Sequence, residues 1–328
     1  MLSRPAVSLY ILLSATAIPA LASPVAFAVG NVYVAVGHSE VSVFTPTGTL
    51  LGTLNDGSAT TYTTGMTFDS AGSLFVTNFG TDNISKFDSN GNLISSTFFT
   101  GADNTPESIL VNAAGNFLVG GPTAAIVYQY SPSSGAPTTS YTVQGGNGTG
   151  GTDWTDLEAN QTTLLYDGEG TEILSYNLAT RTQNAPFATG LPGSDVYEFR
   201  IIPTGTFAGD VLAADSSAAI LLNASGAVIK TYTLPGNDGS DFALNLDPNG
   251  VDFWTADTSG TVWEVNEATG AIVEQWSSGS TSTFGLVVAG QITASGPPPV
   301  VPEPGTFGLM GAGLALTVAV RYRSGRRV

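Results

Sequence analysis

The chain has 328 residues, no cysteine, one histidine, 40 glycines and a formal net charge of −17. Without cysteine it forms neither a disulfide nor a thiolate metal site, so the core alone must hold the fold. So acidic a chain is repelled by nucleic acid and by anionic headgroups, which excludes nucleic-acid binding as its role.

The head carries Arg4, a largely apolar stretch over Val7–Ile18 and two small-x-small patterns, Ala20-Leu21-Ala22 and Ala26-Phe27-Ala28. This is the pattern of a secretory leader rather than of a membrane span. It predicts a signal peptide over residues 1–28, delivered by the Sec translocon and cut by signal peptidase after Ala22 or after Ala28.

The body, residues 29–294, is built from copies of one unit. Turns recur at a fixed phase: Thr45-Pro46-Thr47-Gly48, Asp88-Ser89-Asn90-Gly91, Pro132-Ser133-Ser134-Gly135, Asn177-Leu178-Ala179-Thr180, Asn223-Ala224-Ser225-Gly226 and Glu267-Ala268-Thr269-Gly270. Gly48 and Gly270 stand five steps apart, a period of roughly 44 residues, in the range of a propeller blade. A second turn class lies about 20 residues earlier in most units, as at Asp69-Ser70-Ala71-Gly72 and Asp247-Pro248-Asn249-Gly250. Gly, Asn and Asp suit such turns because they adopt positive φ or bond to the backbone. Short apolar runs flank the turns (Gly65–Phe68, Leu74–Thr77, Ile84–Phe87 and Leu93–Phe98 in one unit), and no stretch of the body has a 3.6-residue apolar period. Four short strands per unit predict an all-β, six-bladed β-propeller. Gly285–Val288 matches the first strand of a unit, whereas Val32–Val36, Val41–Thr45 and Leu50–Leu54 supply the other three. The two ends of the body are therefore expected to complete one blade, which removes the open sheet edges. In outline the units resemble NHL-like and gluconolactonase-like six-bladed propellers, as does the phrase Phe187-Ala188-Thr189-Gly190-Leu191-Pro192.

After the body come a proline-rich linker, residues 295–304 with Gly296-Pro297-Pro298-Pro299, and then an uncharged run of 16 residues, Gly305–Val320. As a helix that run would span roughly 24 Å, short of the ~30 Å hydrocarbon core unless arginines snorkel. A basic tail follows over residues 321–328, with Arg321, Arg323, Arg326 and Arg327. Positive residues stay on the cytoplasmic side, which places the body across the membrane. Val301-Pro302-Glu303-Pro304, a short apolar segment and an Arg-rich end, in that order, resemble the PEP-CTERM sorting signal of exported bacterial proteins. That resemblance implies recognition by exosortase, a membrane-anchored precursor held by the C-terminal helix before processing, and a final place at the cell surface or in the extracellular matrix of a Gram-negative-type bacterium. Of the nine basic residues only Lys86, Arg181, Arg200 and Lys230 belong to the body, which holds 25 of the 26 acidic ones.

Four carboxylates stand near the starts of first strands: Glu107, Asp156, Glu198 and Asp241. At equivalent phase in different blades they would converge at the channel mouth, where Ca²⁺ needs six to eight oxygen ligands. The other reading of the same residues is an acidic rim facing solvent. The Gly-rich stretch Gly145–Gly151 lacks a following Gly-Lys-Ser/Thr and any nearby lysine, so it is not a nucleotide loop. Asp156-Leu157-Glu158-Ala159 resembles the Asp-Leu-Glu-Gly segment of esterase-like phytase propellers, with Ala159 in place of the glycine. The gluconolactonase-like resemblance implies a Glu, an Asn and an Asp around one divalent ion, for which Glu107, Asn78, Asp215 and Asp257 are of the right type. His38, the sole histidine, has no nucleophile elbow to serve. Two functions follow: a non-enzymatic exported propeller that binds an extracellular ligand or protein through one face, or a divalent-metal hydrolase of the lactonase or phytase type.

Overall fold

The computed structural model describes residues 25–102 and 105–294. The head through residue 24, and the linker, apolar run and basic tail over 295–328, lie outside the described residues.

Among the described residues, twenty-five strands form six antiparallel sheets. Blade one joins β1 (Val32–Ala35), β2 (Glu40–Phe44) and β3 (Leu50–Asn55) to β25 (Leu286–Val288) from the far end of the body. Blade two holds β4 (Tyr62–Phe68), β5 (Leu74–Phe79), β6 (Asn83–Phe87) and β7 (Leu93–Thr100). Blade three holds β8 (Ser108–Val111), β9 (Phe117–Gly120), β10 (Ile126–Tyr130) and β11 (Thr139–Thr142). Blade four holds β12 (Thr155–Leu157), β13 (Thr163–Tyr166), β14 (Glu172–Asn177) and an outer strand split into β15 (Thr182–Gln183) and β16 (Ala188–Thr189), both paired with β14. Blade five holds β17 (Val196–Ile201), β18 (Val211–Asp215), β19 (Ala218–Leu222) and β20 (Val228–Tyr232). Blade six holds β21 (Asp241–Leu246), β22 (Asp252–Asp257), β23 (Thr261–Asn266) and β24 (Ile272–Ser277).

The first strands β4, β8, β12, β17, β21 and β25 contact one another in that order, and β25 returns to β4, so the ring closes around a central channel. Closure runs through the expected pairing, with Val32 opposite Val288, Tyr33 opposite Val287 and Val34 opposite Leu286. Near the axis the blades approach to backbone contact. A Cβ at Gly65 would lie 2.1 Å from the Glu107 carbonyl oxygen, and the Gly65 N–H donates to that same oxygen. Any larger residue there would push blades two and three apart.

Between blades, apolar side chains interleave into a chain of clusters; Tyr33, Phe68, Leu74 and Val287 share one, and Leu244, Phe253, Trp263 and Tyr232 another. Outer strands alternate, as in β24 with every second residue exposed, because only one of their faces meets a neighbouring blade. The repeated turns close as the composition demands. Asp69, Asp88, Asn112 and Asn223 each accept backbone N–H bonds from residues two and four further on. Where the repeat lacks its glycine, in the 177–180 turn, Arg181 takes the positive φ of 57°.

Candidate functional site

First strands begin at one end of the channel, and the loops after the second strands return there. That end gathers carboxylates. Register defines equivalent positions: Glu198 faces Ala214, Ala243 faces Ala256 and Thr155 faces Tyr166, each partner lying just before Asp215, Asp257 or Asp167. Asp241 stands two residues ahead of that level and Asp156 one beyond it, whereas Glu107 immediately precedes Ser108, which faces Gly120 at the end of β9. The four carboxylates singled out in the sequence therefore occupy different levels and surroundings.

Asp156 is turned into the protein. Its Oδ1 accepts the Leu157 N–H and its Oδ2 the Ile201 N–H, each at 2.8 Å, which ties β12 to β17. Glu198 is buried against Arg200, with Oε1 2.9 Å from a guanidinium nitrogen, and Arg200 also lies over the Trp154 ring. Burial pushes the Glu198 carboxyl up to about 8, although Arg200 opposes the shift. Asp241 accepts the Thr255 hydroxyl, and burial holds its carboxyl well above the usual range, with Asp257 and Asp215 adding repulsion. Asn78 belongs to a separate network, donating to Asp56 at 2.8 Å. His38 bonds the Thr60 carbonyl through Nδ1 and stacks near Tyr62.

Glu107 has different neighbours. One carboxylate oxygen each from Glu107, Asp153 and Glu169 lie within 4.8 Å of one another. Glu107 and Asp153 are buried and stand ahead of β8 and β12; Glu169 is partly exposed and lies between β13 and β14. Burial raises all three carboxyls, Asp153 to about 6 and Glu169 to about 7, and Glu107 well above its ordinary value with repulsion from Asp153 added.

The Gly-rich stretch builds this corner. Thr149 donates its N–H to the Gly168 carbonyl at 2.7 Å and its hydroxyl to Asp153 Oδ2 at 2.7 Å. Thr171 N–H caps Asn147 Oδ1. A Cβ at Gly148 would sit 1.8 Å from the Glu169 carbonyl oxygen, so only glycine lets the two loops lie backbone to backbone. Glycine here brings two loops together rather than cradling phosphate.

Opposite the acids runs an aromatic arc. Tyr197 stacks on Phe242 at 4.6 Å, Phe242 meets Phe284 edge-on at 5.1 Å, and Phe284 lies 4.6 Å from Tyr62. Tyr197 and Phe242 are the residues skipped at the bulges of β17 and β21, and a bulge re-aims a side chain. At the other end of the channel, Arg200, Asp156, Gln291 and Leu246 help line a cavity of about 250 Å³.

Sequence reasoning singled out Glu107 but not Asp153 or Glu169, which the structure brings beside it. The signal for Asp153 was its place at the end of the glycine stretch; nothing local marked Glu169.

Residues 300–326 match the PEP-CTERM protein-sorting motif. The protein is thus an exported one, sorted to the cell envelope. No curated protein matches the chain. Among solved structures, one chain of a nidogen/laminin complex is 12% identical, with a TM-score of 0.60 over 78% of this chain and 97% of that one. A chain of a mitotic checkpoint complex is 16% identical, with a TM-score of 0.49 over 70% of this chain and 69% of that one. As many as 1645 chains resemble this fold, so the propeller by itself names no activity.

Proposed function

We propose that this protein is a non-enzymatic ligand-binding propeller, delivered across the membrane and processed at its tail by exosortase. The observation that carries the reading is the sorting motif at 300–326 placed beyond a ring that closes through β25 and β1. Because the ring closes at Val288, the motif extends from a finished domain and its removal leaves every blade intact. Before processing, the apolar run 305–320 holds the precursor in the inner membrane, with Arg321, Arg323, Arg326 and Arg327 on the cytoplasmic side. After processing, the propeller belongs to the cell surface or the extracellular matrix.

The mouth formed by the first-strand starts is the binding face of this reading. Its aromatic arc offers flat apolar area, and its carboxylates accept hydrogen bonds. Together they suit an uncharged or cationic ligand rich in hydroxyl or amine donors and repel anions.

The test is the fate of the chain. Cells making the full chain should yield a product shortened at the C-terminus and found in the envelope or medium. Deleting residues 301–328, or replacing Val301-Pro302-Glu303-Pro304 by alanines, should abolish that shortening and change where the chain is found. An unprocessed parent, located as the deletion variant is, would sink the proposal.

A further inference from the structure

Glu107, Asp153 and Glu169 present a charge problem that the protein does not solve with its own cations. Lys86 pairs with Asp69, and Arg200 pairs with Glu198. Lys230 donates to the Glu267 and Ala268 carbonyls, and Arg181 lies over Tyr141. These four are all the basic residues of the body. Yet Asp153 is 1% exposed and its Oδ1 has no hydrogen-bond partner, while Oδ2 is held by Thr149. Beside it Asp167, fully buried, has Oδ1 near the Trp154 and Glu169 N–H groups and leaves Oδ2 without a donor. Unpartnered buried carboxylate oxygens cost free energy unless a cation or a proton meets them, and a divalent cation can serve several carboxylates at once.

We propose that Glu107, Asp153 and Glu169 form a Ca²⁺ site at the channel mouth, with the free oxygen of Asp167 behind it. The donor set is all oxygen, which suits a hard cation. Oxygens on opposite sides of a Ca²⁺ ion lie up to ~4.8 Å apart, whereas Mg²⁺ draws its ligands to within ~4.2 Å. The three oxygens, all within 4.8 Å of one another, are close enough to share one such ion. Three carboxylates leave coordination positions for water or for hydroxyls of a ligand, and Glu169 is the partly exposed member through which an ion would enter. The site joins a strand start of blade three to a strand start and a loop of blade four, so the ion braces two blades.

The test uses the full chain in detergent, stripped with EDTA and dialysed. Ca²⁺ is titrated by its effect on the unfolding temperature and by displacement of Tb³⁺, whose luminescence the neighbouring Trp154 sensitises. Ca²⁺ should raise the unfolding temperature with half-saturation near or below ~1 mM, the range of extracellular modules, and Mg²⁺ should be weaker. Asp153→Asn and Glu169→Gln keep the shape and remove charge. Each should weaken Ca²⁺ by about tenfold or more while unfolding no earlier than the parent in EDTA. Asp88→Asn, on an exposed turn, should bind as the parent does. No response to Ca²⁺ at about 10 mM, or binding unchanged in both Asp153→Asn and Glu169→Gln, would overturn the site. A variant less stable than the parent in EDTA, with unchanged affinity, would count against it too, because the carboxylate would then be structural.

Discussion

Asp156 and Asp153 are three residues apart and do different work. Asp156 spends both oxygens on backbone N–H groups, one of them across the blade boundary at Ile201. Asp156→Ala should therefore cost about 3 kcal/mol, since two buried donors lose their acceptor and Arg200 loses a nearby negative charge. Urea unfolding of the parent and variant measures this, and Ca²⁺ affinity should stay unchanged. Altered affinity would mean that the ion binds at Asp156 rather than at Asp153. Gly148→Ala makes the converse case. Its Cβ would meet the Glu169 carbonyl, so the 168–170 turn must move and carry Glu169 with it. We expect a loss of about 1–3 kcal/mol together with weaker Ca²⁺ binding, read by the same titration.

At the scale of elements, the segment ahead of β1 bears on which of the two leader cleavage sites expected from the sequence a cut would use. Phe27 is 1% exposed and packs edge-on against Tyr33 at 5.1 Å and Phe68 at 5.7 Å, and its N–H donates to the Ser89 carbonyl. Cutting after Ala28 would strip Phe27 from the core of blades one and two, at a cost of about 3–5 kcal/mol. Cutting after Ala22 keeps it. The exported chain should thus begin at Ser23, which N-terminal sequencing or intact mass reads directly; a start at Val29 would refute this. Phe27 also marks what the sequence conceals. The blades were legible because each turn needs a glycine or an Asx residue at one phase, and that need repeats with the period of the unit. The closure of β25 on β1 was legible from the same phase. The split outer strand of blade four was not, since β15 and β16 are two residues each and carry no alternation. The acid cluster was only partly legible. Side chains alternate along a strand, so a one-residue error in level turns a carboxylate to another face. Glu107 and Glu169 meet through the packing of neighbouring blades, which no local pattern encodes.

The whole molecule is a ring with far more acid than base, and burial raises the titration of several of its carboxyls. Consider those outside the Ca²⁺ cluster. The Glu198 carboxyl stands at about 8 against an ordinary 4.5, facing Arg200, Asp156 and Asp241. Asp241 stands well above its ordinary value, facing Asp257, Asp215 and Asp238. Burial and the charge of Asp252 push Glu267 to about 7. Between the unfolded values near 4 and these raised ones, the folded chain keeps protons that the unfolded chain has released. Stability is then full below the unfolded values and falls as pH rises, by about 1.4 kcal/mol per pH unit for each fully displaced group. In EDTA the free energy of unfolding should decline steadily from pH 5 to about pH 8, where Glu198 is half titrated. Urea midpoints across that range measure the slope. A flat or rising profile would mean that these buried carboxylates are ionised in the folded ring and neutralised by other means. Glu267→Gln isolates one contribution: it should leave stability at pH 5 nearly unchanged and raise it at pH 8, because the amide has no charge to bury.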